Sequence, residues 1–319
     1  MPEPLQSKTP RRGQERYVAP PDETPLQATD SLDETAPPAS LWGDAWRQLR
    51  TRPLFLISSA LILLVITVAV APGLFTDQGP RDCDLANTMQ GPRAGHPLGF
   101  TQLGCDIYAR VIYGARPSVL VGVLATLGTV LIGGTVGALA GFFGGRLDSL
   151  LSRVADIFFA IPLILGAIVL MQVSEGRTSL TVAMVLTVFG WPQVARIMRG
   201  AVLEVRQAEF ITASRALGSS SMSTMLRHAI PNALSPVIVI ATVSLGIYIA
   251  TEATLSFLGI GLHPSIVSWG GDISAAQNQL RVAPQVLLYP AAALSLTVLS
   301  FIMLGDAVRD ALDPKGRKR

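Results

Sequence analysis

Histidine, cysteine and serine are the side chains here that could build a metal site or a nucleophile. The three histidines, His96, His228 and His263, are far apart, and neither an H-E-x-x-H nor a C-x-x-C pattern occurs. No serine stands in a G-x-S-x-G elbow. The spacing gives no support for metal-dependent or nucleophilic catalysis, and we predict no catalytic residue, metal or cofactor in this chain.

Lysine, which contacts phosphate in nucleotide-binding loops, occurs only at Lys8, Lys315 and Lys318. None of these follows a glycine, so the sequence contains no G-x-x-x-x-G-K-[ST] loop. If the chain works with ATP, we expect ATP and Mg²⁺ to bind to a different polypeptide.

A polar stretch, EFITASRALGSSSMSTMLRHAIPN at 209–232, lies between two long apolar runs. We predict two short helices in the segment 203–232. The first covers about 203–217 and places Arg206 three residues before Glu209 on one face. It ends at Gly218, because glycine readily adopts the left-handed conformation that a helix C′ position requires.

The second predicted helix follows three serines that offer N-cap oxygens, Ser219, Ser220 and Ser221. It covers about 222–230 and must stop before Pro231, which has no N–H to donate and restricts the residue before it. Such a compact pair of helices suits either of two roles. It can insert into a groove of a soluble partner, or it can rest on the lipid surface as an amphipathic loop.

The elements that hold this stretch are apolar. Half of the 319 residues are hydrophobic, 15% are charged, and the mean hydropathy is +0.46. A helix of roughly 20 apolar residues crosses a bilayer, and continuous rather than alternating runs exclude a barrel. We predict an all-α integral membrane protein with six transmembrane helices at 54–75, 117–142, 154–174, 179–198, 235–257 and 286–306.

Arginine and lysine set the predicted orientation, because cytoplasmic flanks carry their excess. With both termini in the cytoplasm, most of them fall on that side, together with the polar stretch. The minority on the outer side are Arg81, Arg93, Arg110, Arg116, Arg177 and Arg281. The first apolar run begins too far from Met1 for a secretory signal, so we expect it to remain as an anchor.

The predicted organisation has five parts. Residues 1–41 form a proline-rich, disordered cytoplasmic tail. An interfacial helix and the first span occupy 42–75, and an extracytoplasmic loop covers 76–116. The membrane core covers 117–309, with a turn and short helix on the outer face at 262–284, and 310–319 form a basic cytoplasmic tail.

Both cysteines, Cys83 and Cys105, fall in the 76–116 loop, on the predicted oxidising side. They form either a disulfide or two unrelated thiols, since sequence alone does not place their Cα atoms. Glycines at 133, 137 and 141 repeat a G-x-x-x-G pattern that lets helices approach closely. Pro162 and Pro192 predict kinks in their helices.

Three acidic residues lie in or near predicted spans. Glu252 lies either near the outer gate of a substrate path or in a structural pair with a neighbouring helix. We expect Asp156 and Asp306 to form interfacial ion pairs with the nearby Arg153 and Arg309.

The motif E-F-I-T-A-S-R-A-L-G, with R-H-A-I-P-N downstream, resembles the EAA signature of binding-protein-dependent ABC importer permeases. In that family this segment is the coupling helix, which docks into a cleft of a cytoplasmic ATPase subunit. The resemblance implies that role for Glu209, Ala213, Ser214, Arg215, Ala216, Gly218, Arg227, His228, Pro231 and Asn232.

Other stretches are similar to the C-type subunit of dipeptide, oligopeptide and nickel permeases. They are HPLGFTQLGCDIYARVIYGARPSVLVG at 96–122, GFFGGRLDSLLSRVADIFFAIP at 141–162, EATLSFLGIG at 252–261, PSIVSWGGDI at 264–273 and LGDAVRDALDP at 304–314. The resemblance covers about 42–314 and implies a type I importer fold. The chain departs from the family at Phe100-Thr101, Cys105 and Ser214, where Thr-Asp, arginine and alanine are usual.

The resemblance implies a permease subunit of a bacterial ABC importer for dipeptides or oligopeptides, in the cytoplasmic membrane. Its partners would be a homologous second permease, two ATPase subunits and an extracytoplasmic substrate-binding protein, with no role for nucleic acid. Nickel or another small solute is the alternative cargo. Two other classes are a membrane anchor that recruits an ATPase without transport and an intramembrane hydrolase.

Overall fold

A computed structural model describes residues 41–174 and 176–312. The chain divides into two units, Met1–Asp44 and Ala45–Arg319, and only the first residues of helix α1 represent the former. The predicted disordered tail therefore lies outside the described residues, apart from Leu41, and so does most of the predicted basic tail. In the described part, helices and turns account for the regular structure, with isolated β-bridges only, which confirms the all-α prediction.

Eleven α-helices make up the described chain. They are α1 (Leu41–Leu49), α2 (Pro53–Val70), α3 (Ile107–Phe143), α4 (Gly145–Phe159), α5 (Leu163–Val173), α6 (Ser179–Arg206), α7 (Glu209–Ala216), α8 (Ser221–Thr224), α9 (Ile230–Phe257), α10 (Trp269–Ala276) and α11 (Pro284–Leu312). A π-helical turn, Met225–Ala229, joins α8 to α9. Helix α3 begins at Ile107 rather than at the predicted 117, because Asp106 caps it by accepting a hydrogen bond from the Ala109 amide.

Five of the described helical runs are long and apolar enough to cross a membrane: α2, α3, α6, the run 221–257 and α11. Helices α4 and α5 form a sixth span only as a bent pair, with 81° between them. The break falls at Pro162, which has no N–H and disfavours helical geometry at the residue before it. The predicted third span is therefore interrupted, whereas α6 continues through Pro192.

Helices α3 and α6 form the centre of the bundle. A Cβ added to Gly133, Gly137 or Gly141 would collide with a backbone carbonyl oxygen of α6, those of Trp191, Ala195 and Arg199 respectively. The three glycines and the three carbonyls advance in matching steps of four residues, so the two helices stay close over several turns. The G-x-x-x-G pattern thus serves contact between two spans of this same chain.

The segment between α2 and α3 is held by a disulfide between Cys83 and Cys105. The Asp84 amide donates a hydrogen bond to the Gly104 carbonyl beside it. His96 Nδ1 lies 2.5 Å from Asp106 Oδ2, next to the start of α3. These contacts tie the segment to the end of α3.

Helix α10 and a 3₁₀ turn, Gln277–Gln279, occupy the predicted turn and short helix before α11. The carboxylate of Asp272 forms an ion pair with the guanidinium of Arg110 on α3. Burial raises the pKa of the Asp272 carboxyl above its ordinary value, and the Arg110 charge opposes that shift. This pair fixes α10 against the first turn of α3.

Candidate functional site

The polar stretch forms an insert, residues 207–232, that runs from the end of α6 through α7, α8 and the π turn into the first turn of α9. The predicted first helix of this insert is in fact divided: α6 runs to Arg206, and α7 starts at Glu209. The Gln207 and Ala208 amides close α6 by bonding to carbonyls three residues back, and Ala208 is extended. The prediction of Arg206 and Glu209 on one helical face is therefore wrong, because this two-residue break separates them.

Gly218 ends α7 as predicted. Its φ is +87°, in the left-handed region that favours glycine. The Gly218 amide bonds to the Arg215 carbonyl, and the Ser219 amide bonds to the Ser214 carbonyl. These two bonds form a Schellman motif, which satisfies the last carbonyls of the helix.

Ser220 is the N-cap of α8, since its hydroxyl accepts a hydrogen bond from the Ser223 amide. The prediction that this helix stops before Pro231 is wrong. A π-helical turn follows, in which the Ile230 amide bonds to the Met225 carbonyl, and α9 then continues through Pro231. The wider turn accommodates a proline ring that would clash with the carbonyl four residues earlier in a regular α-helix.

One face of α7 is buried against the bundle. Ile211 joins an apolar cluster that includes Phe142 of α3 and Met198 of α6. The buried hydroxyls of Ser214 and Thr224 lie 3.3 Å apart and form a hydrogen bond. Ser214, where the family usually has alanine, thus links α7 to α8 through a hydroxyl group that alanine lacks.

The other face of the insert is exposed. Leu217 is 87% exposed, and Phe210, Met222 and Leu226 are also large apolar side chains in contact with solvent. Apart from Ser214, the residues of the predicted coupling motif are exposed as well: Glu209, Ala213, Arg215, Ala216, Gly218, Arg227, His228, Pro231 and Asn232. The side-chain Nδ2 of Asn232 donates a hydrogen bond to the backbone carbonyl of His228 at 2.8 Å. The structure therefore brings all the predicted motif residues together in the insert, with Ser214 on its buried side.

Arginine side chains connect helices within the insert and in the adjoining part of the bundle. The Arg199 guanidinium donates to both oxygens of Asp148 on α4, at 2.5 and 2.7 Å, and the Arg215 guanidinium lies 5.1 Å from the Phe142 ring. Sequence reasoning missed the pair between Asp148 and Arg199, which α4 brings together across 51 positions. The only available signal was an acidic residue in the first turn of an amphipathic helix.

The predicted pairs of the other acidic residues are not formed. Asp156 lies 3.5 Å from Arg196 rather than beside Arg153, and both partners are exposed. Within the described ranges, Asp306 is exposed and has no ion pair. Helix packing places Asp156 next to α6, a relation that proximity along the sequence does not reveal.

Glu252 lies near the C-terminal end of α9, one helix length away from the insert. Its side chain is fully buried, and Oε1 accepts a hydrogen bond of 2.7 Å from the Ser256 hydroxyl. The Ser256 oxygen in turn accepts from the Leu262 amide. The carboxyl is thereby linked to the turn after α9 and has no exposure to solvent in this conformation.

Two family models match this chain, and both describe membrane components of transport systems. Residues 133–318 match the family described as binding-protein-dependent transport system inner membrane component. Residues 40–92 match the N-terminal TM domain of oligopeptide transport permease C. The chain belongs to the family of binding-protein-dependent transport system inner membrane components, the family that its sequence motifs resemble.

Curated relatives align over most of their length. The oligopeptide transport system permease protein OppC of Bacillus subtilis is 38% identical, over 88% of this chain and 91% of the relative. The dipeptide transport system permease protein DppC of Alkalihalophilus pseudofirmus is 36% identical, over 86% and 90%. The glutathione transport system permease protein GsiD of Pectobacterium atrosepticum is 35% identical, over 86% and 91%.

A solved structure of the MetNI methionine ABC transporter, in an inward-facing conformation, contains a chain of similar fold. The TM-score is 0.53 at 23% identity, and the match covers 64% of this chain and 96% of that one. This likeness confirms the predicted type I importer permease fold. At this identity it shows the fold alone.

Proposed function

We propose that this chain is the permease subunit of a bacterial ABC importer that carries dipeptides and oligopeptides across the cytoplasmic membrane. The family membership supports the permease role. The cargo is supported by the names of relatives at 35 to 38% identity, which refer to oligopeptides, dipeptides and glutathione. Glutathione is itself a tripeptide, so the three names share peptide chemistry.

The observation that carries the proposal is the exposed face of the insert. Helix α7 packs one face against the bundle. On its other face, Phe210 and the C-cap residue Leu217 are exposed beside charged residues, as in a helix that fits a partner's groove. The partner is the ATPase subunit. ATP and Mg²⁺ bind there, since this chain has no phosphate-binding loop.

The complete importer would contain a second, homologous permease, two ATPase subunits and an extracytoplasmic substrate-binding protein. Closure of the ATPases on ATP moves the insert, and the paired permeases alternate between outward and inward openings. Both termini and the insert lie on the cytoplasmic side, in agreement with the bias of arginine and lysine. The permease itself performs no covalent chemistry.

Uptake by cells tests the cargo. Cells that lack this chain, and cells in which it is restored, are given labelled dipeptides, tetrapeptides, glutathione or nickel. The proposal predicts that removal of the chain abolishes uptake of at least one peptide class and that restoration recovers it. Loss of nickel uptake with unchanged peptide uptake would contradict the peptide assignment while leaving the permease role intact.

A further inference from the structure

A narrow crevice of about 180 Å³ lies between α2, α3 and α11. Its walls are apolar and include Val65, Val68, Ala115 and Ala293. The hydroxyls of Thr297 and Ser300 also line it. Each bonds to a carbonyl one turn earlier in α11, so neither needs a partner inside the crevice.

Water is a poor occupant of this crevice. Its volume equals that of about six waters at roughly 30 Å³ each, but apolar cavities of this size stay dry and accept apolar guests. Leu64 is 50% exposed and Leu296 is 55% exposed, and both line the crevice on helices that span the membrane. The crevice therefore opens at the surface of the membrane-spanning bundle, where an acyl chain is the apolar guest that the membrane supplies.

A second cavity, of about 210 Å³, adjoins the crevice and lies toward the ends of α3 and α11 nearest the disulfide. Val111 lines both cavities. Along α11, the second cavity reaches Pro290 and the crevice starts at Ala293, less than one turn further on. The pair of cavities thus runs from the end of the span into its apolar middle.

Gln279, one of the residues that line the second cavity, has a buried hydrogen-bond acceptor without a donor. Gln279 is only 8% exposed, and its Oε1 has no hydrogen-bond partner. Its Nε2 donates to Gln102 Oε1 at 2.6 Å, and the neighbouring Asp272 is already paired with Arg110. A buried acceptor left without a donor costs about 1–3 kcal/mol, so the cavity favours a ligand that carries an N–H or O–H group.

We propose that the two cavities form one phospholipid site. An acyl chain fills the crevice between α2, α3 and α11, and a headgroup with an N–H or O–H donor bonds to Gln279 Oε1. Ethanolamine and glycerol headgroups carry such a donor, whereas choline carries none. The proposal rests on the membrane position of these helices and is independent of the transported cargo.

Lipid retention measures this site directly. The purified full-length protein, in its complex, is incubated in detergent with four dioleoyl lipids: phosphatidylethanolamine, its N,N-dimethyl derivative, phosphatidylglycerol and phosphatidylcholine. Native mass spectrometry then counts the molecules of each lipid that remain bound. The dimethyl derivative keeps one N–H and matches choline in bulk except for one methyl group, so it separates hydrogen bonding from size.

Two variants separate this site from lipid bound elsewhere. Gln279→Leu removes the acceptor, and Gln277→Leu is its control, because Gln277 is exposed and outside the cavity. Ala293→Phe fills the crevice, and Ala292→Phe is its control on the exposed face of α11. Both tests read lipid retention and need no transport, so failure of the peptide proposal would not affect them.

We expect the native protein to retain both amine lipids about fivefold better than phosphatidylcholine, the preference worth one hydrogen bond. Retention of phosphatidylglycerol at the same level would show that a hydroxyl donor suffices. Gln279→Leu should abolish the preference, and Ala293→Phe should remove the bound lipid whatever its headgroup. Equal retention of all four lipids by the native protein, or a preference that survives Gln279→Leu, would overturn the proposal.

Discussion

At the scale of single residues, Gly218 is the position where backbone conformation bears most directly on the proposed coupling. Its φ of +87° costs a non-glycine residue about 1–2 kcal/mol, and a β-branched residue more. We expect Gly218→Val to reduce ATP-driven uptake about tenfold while ATP hydrolysis and membrane insertion continue, because about 1.4 kcal/mol is a tenfold change in population. Uptake of labelled peptide and ATPase rate are measured on the same preparation.

Gly200→Val is the matched control for Gly218→Val. Gly200 lies within α6 without a positive φ, and an added Cβ there meets nothing within 4 Å. Since an added Cβ at Gly218 also meets no neighbour, the two variants differ in backbone strain rather than in contacts. Equal uptake in both variants would show that coupling does not depend on the backbone conformation of Gly218.

The disulfide makes a second prediction at this scale. Cys83 and Cys105 are separated by 22 positions, and closing a loop of that length stabilises the folded state by about 3 kcal/mol. We expect Cys83→Ser to make residues 76–106 several times more sensitive to limited proteolysis. The double variant, with Cys105→Ser added, should be little more sensitive to proteolysis than Cys105→Ser alone, because each substitution removes the same bond. If the double variant instead showed the sum of the two single increases in sensitivity, the cysteines would be two independent thiols.

Contacts between residues that are close in the sequence could be predicted, whereas contacts between residues far apart in the sequence could not. Local capping rules predict Gly218 at the end of α7, where it lies, and an N-cap among Ser219, Ser220 and Ser221, of which Ser220 is the cap. The pair of Arg110 with Asp272 spans 162 positions. It forms because α10 packs on α3, so no local rule reveals it.

At the scale of elements, the contact of α3 with α6 is the most sensitive to side-chain size. We expect Gly137→Leu to destabilise the bundle by several kcal/mol, because the new side chain would meet the Ala195 carbonyl and the Met198 side chain. Gly134→Leu is the control, since an added Cβ at Gly134 meets nothing within 4 Å. Thermal unfolding in detergent measures both, and similar melting temperatures for the two variants would refute the predicted close approach.

The number and type of the spans could be predicted because long apolar runs are a strong signal. Of the breaks, the bend of α4 against α5 falls at Pro162, where a kink was predicted, but the division of α6 from α7 and the π turn before Pro231 were missed. Each depends on the conformation of a few residues, such as extended Ala208. Hydropathy averaged over a window does not resolve changes this short.

At the scale of the whole molecule, orientation is the property that every functional step requires. The protein has two cysteines, both in the disulfide, so an introduced cysteine is the only thiol. We expect an impermeant maleimide to label Val282→Cys but not Leu217→Cys in intact cells, and to label both after the membrane is opened. Labelling of Leu217→Cys in intact cells would reverse the proposed orientation.

The proposed coupling requires that the insert transmit the movement of an ATPase subunit into the bundle. Photo-crosslinking tests this contact, with a photoreactive amino acid placed at Leu217, which is 87% exposed, or at Val282, which is 81% exposed beyond the other end of α9. We expect irradiation of the assembled importer to join position 217 to an ATP-hydrolysing subunit and to leave position 282 unattached to it. Adducts of position 217 with lipid alone would contradict the proposed coupling.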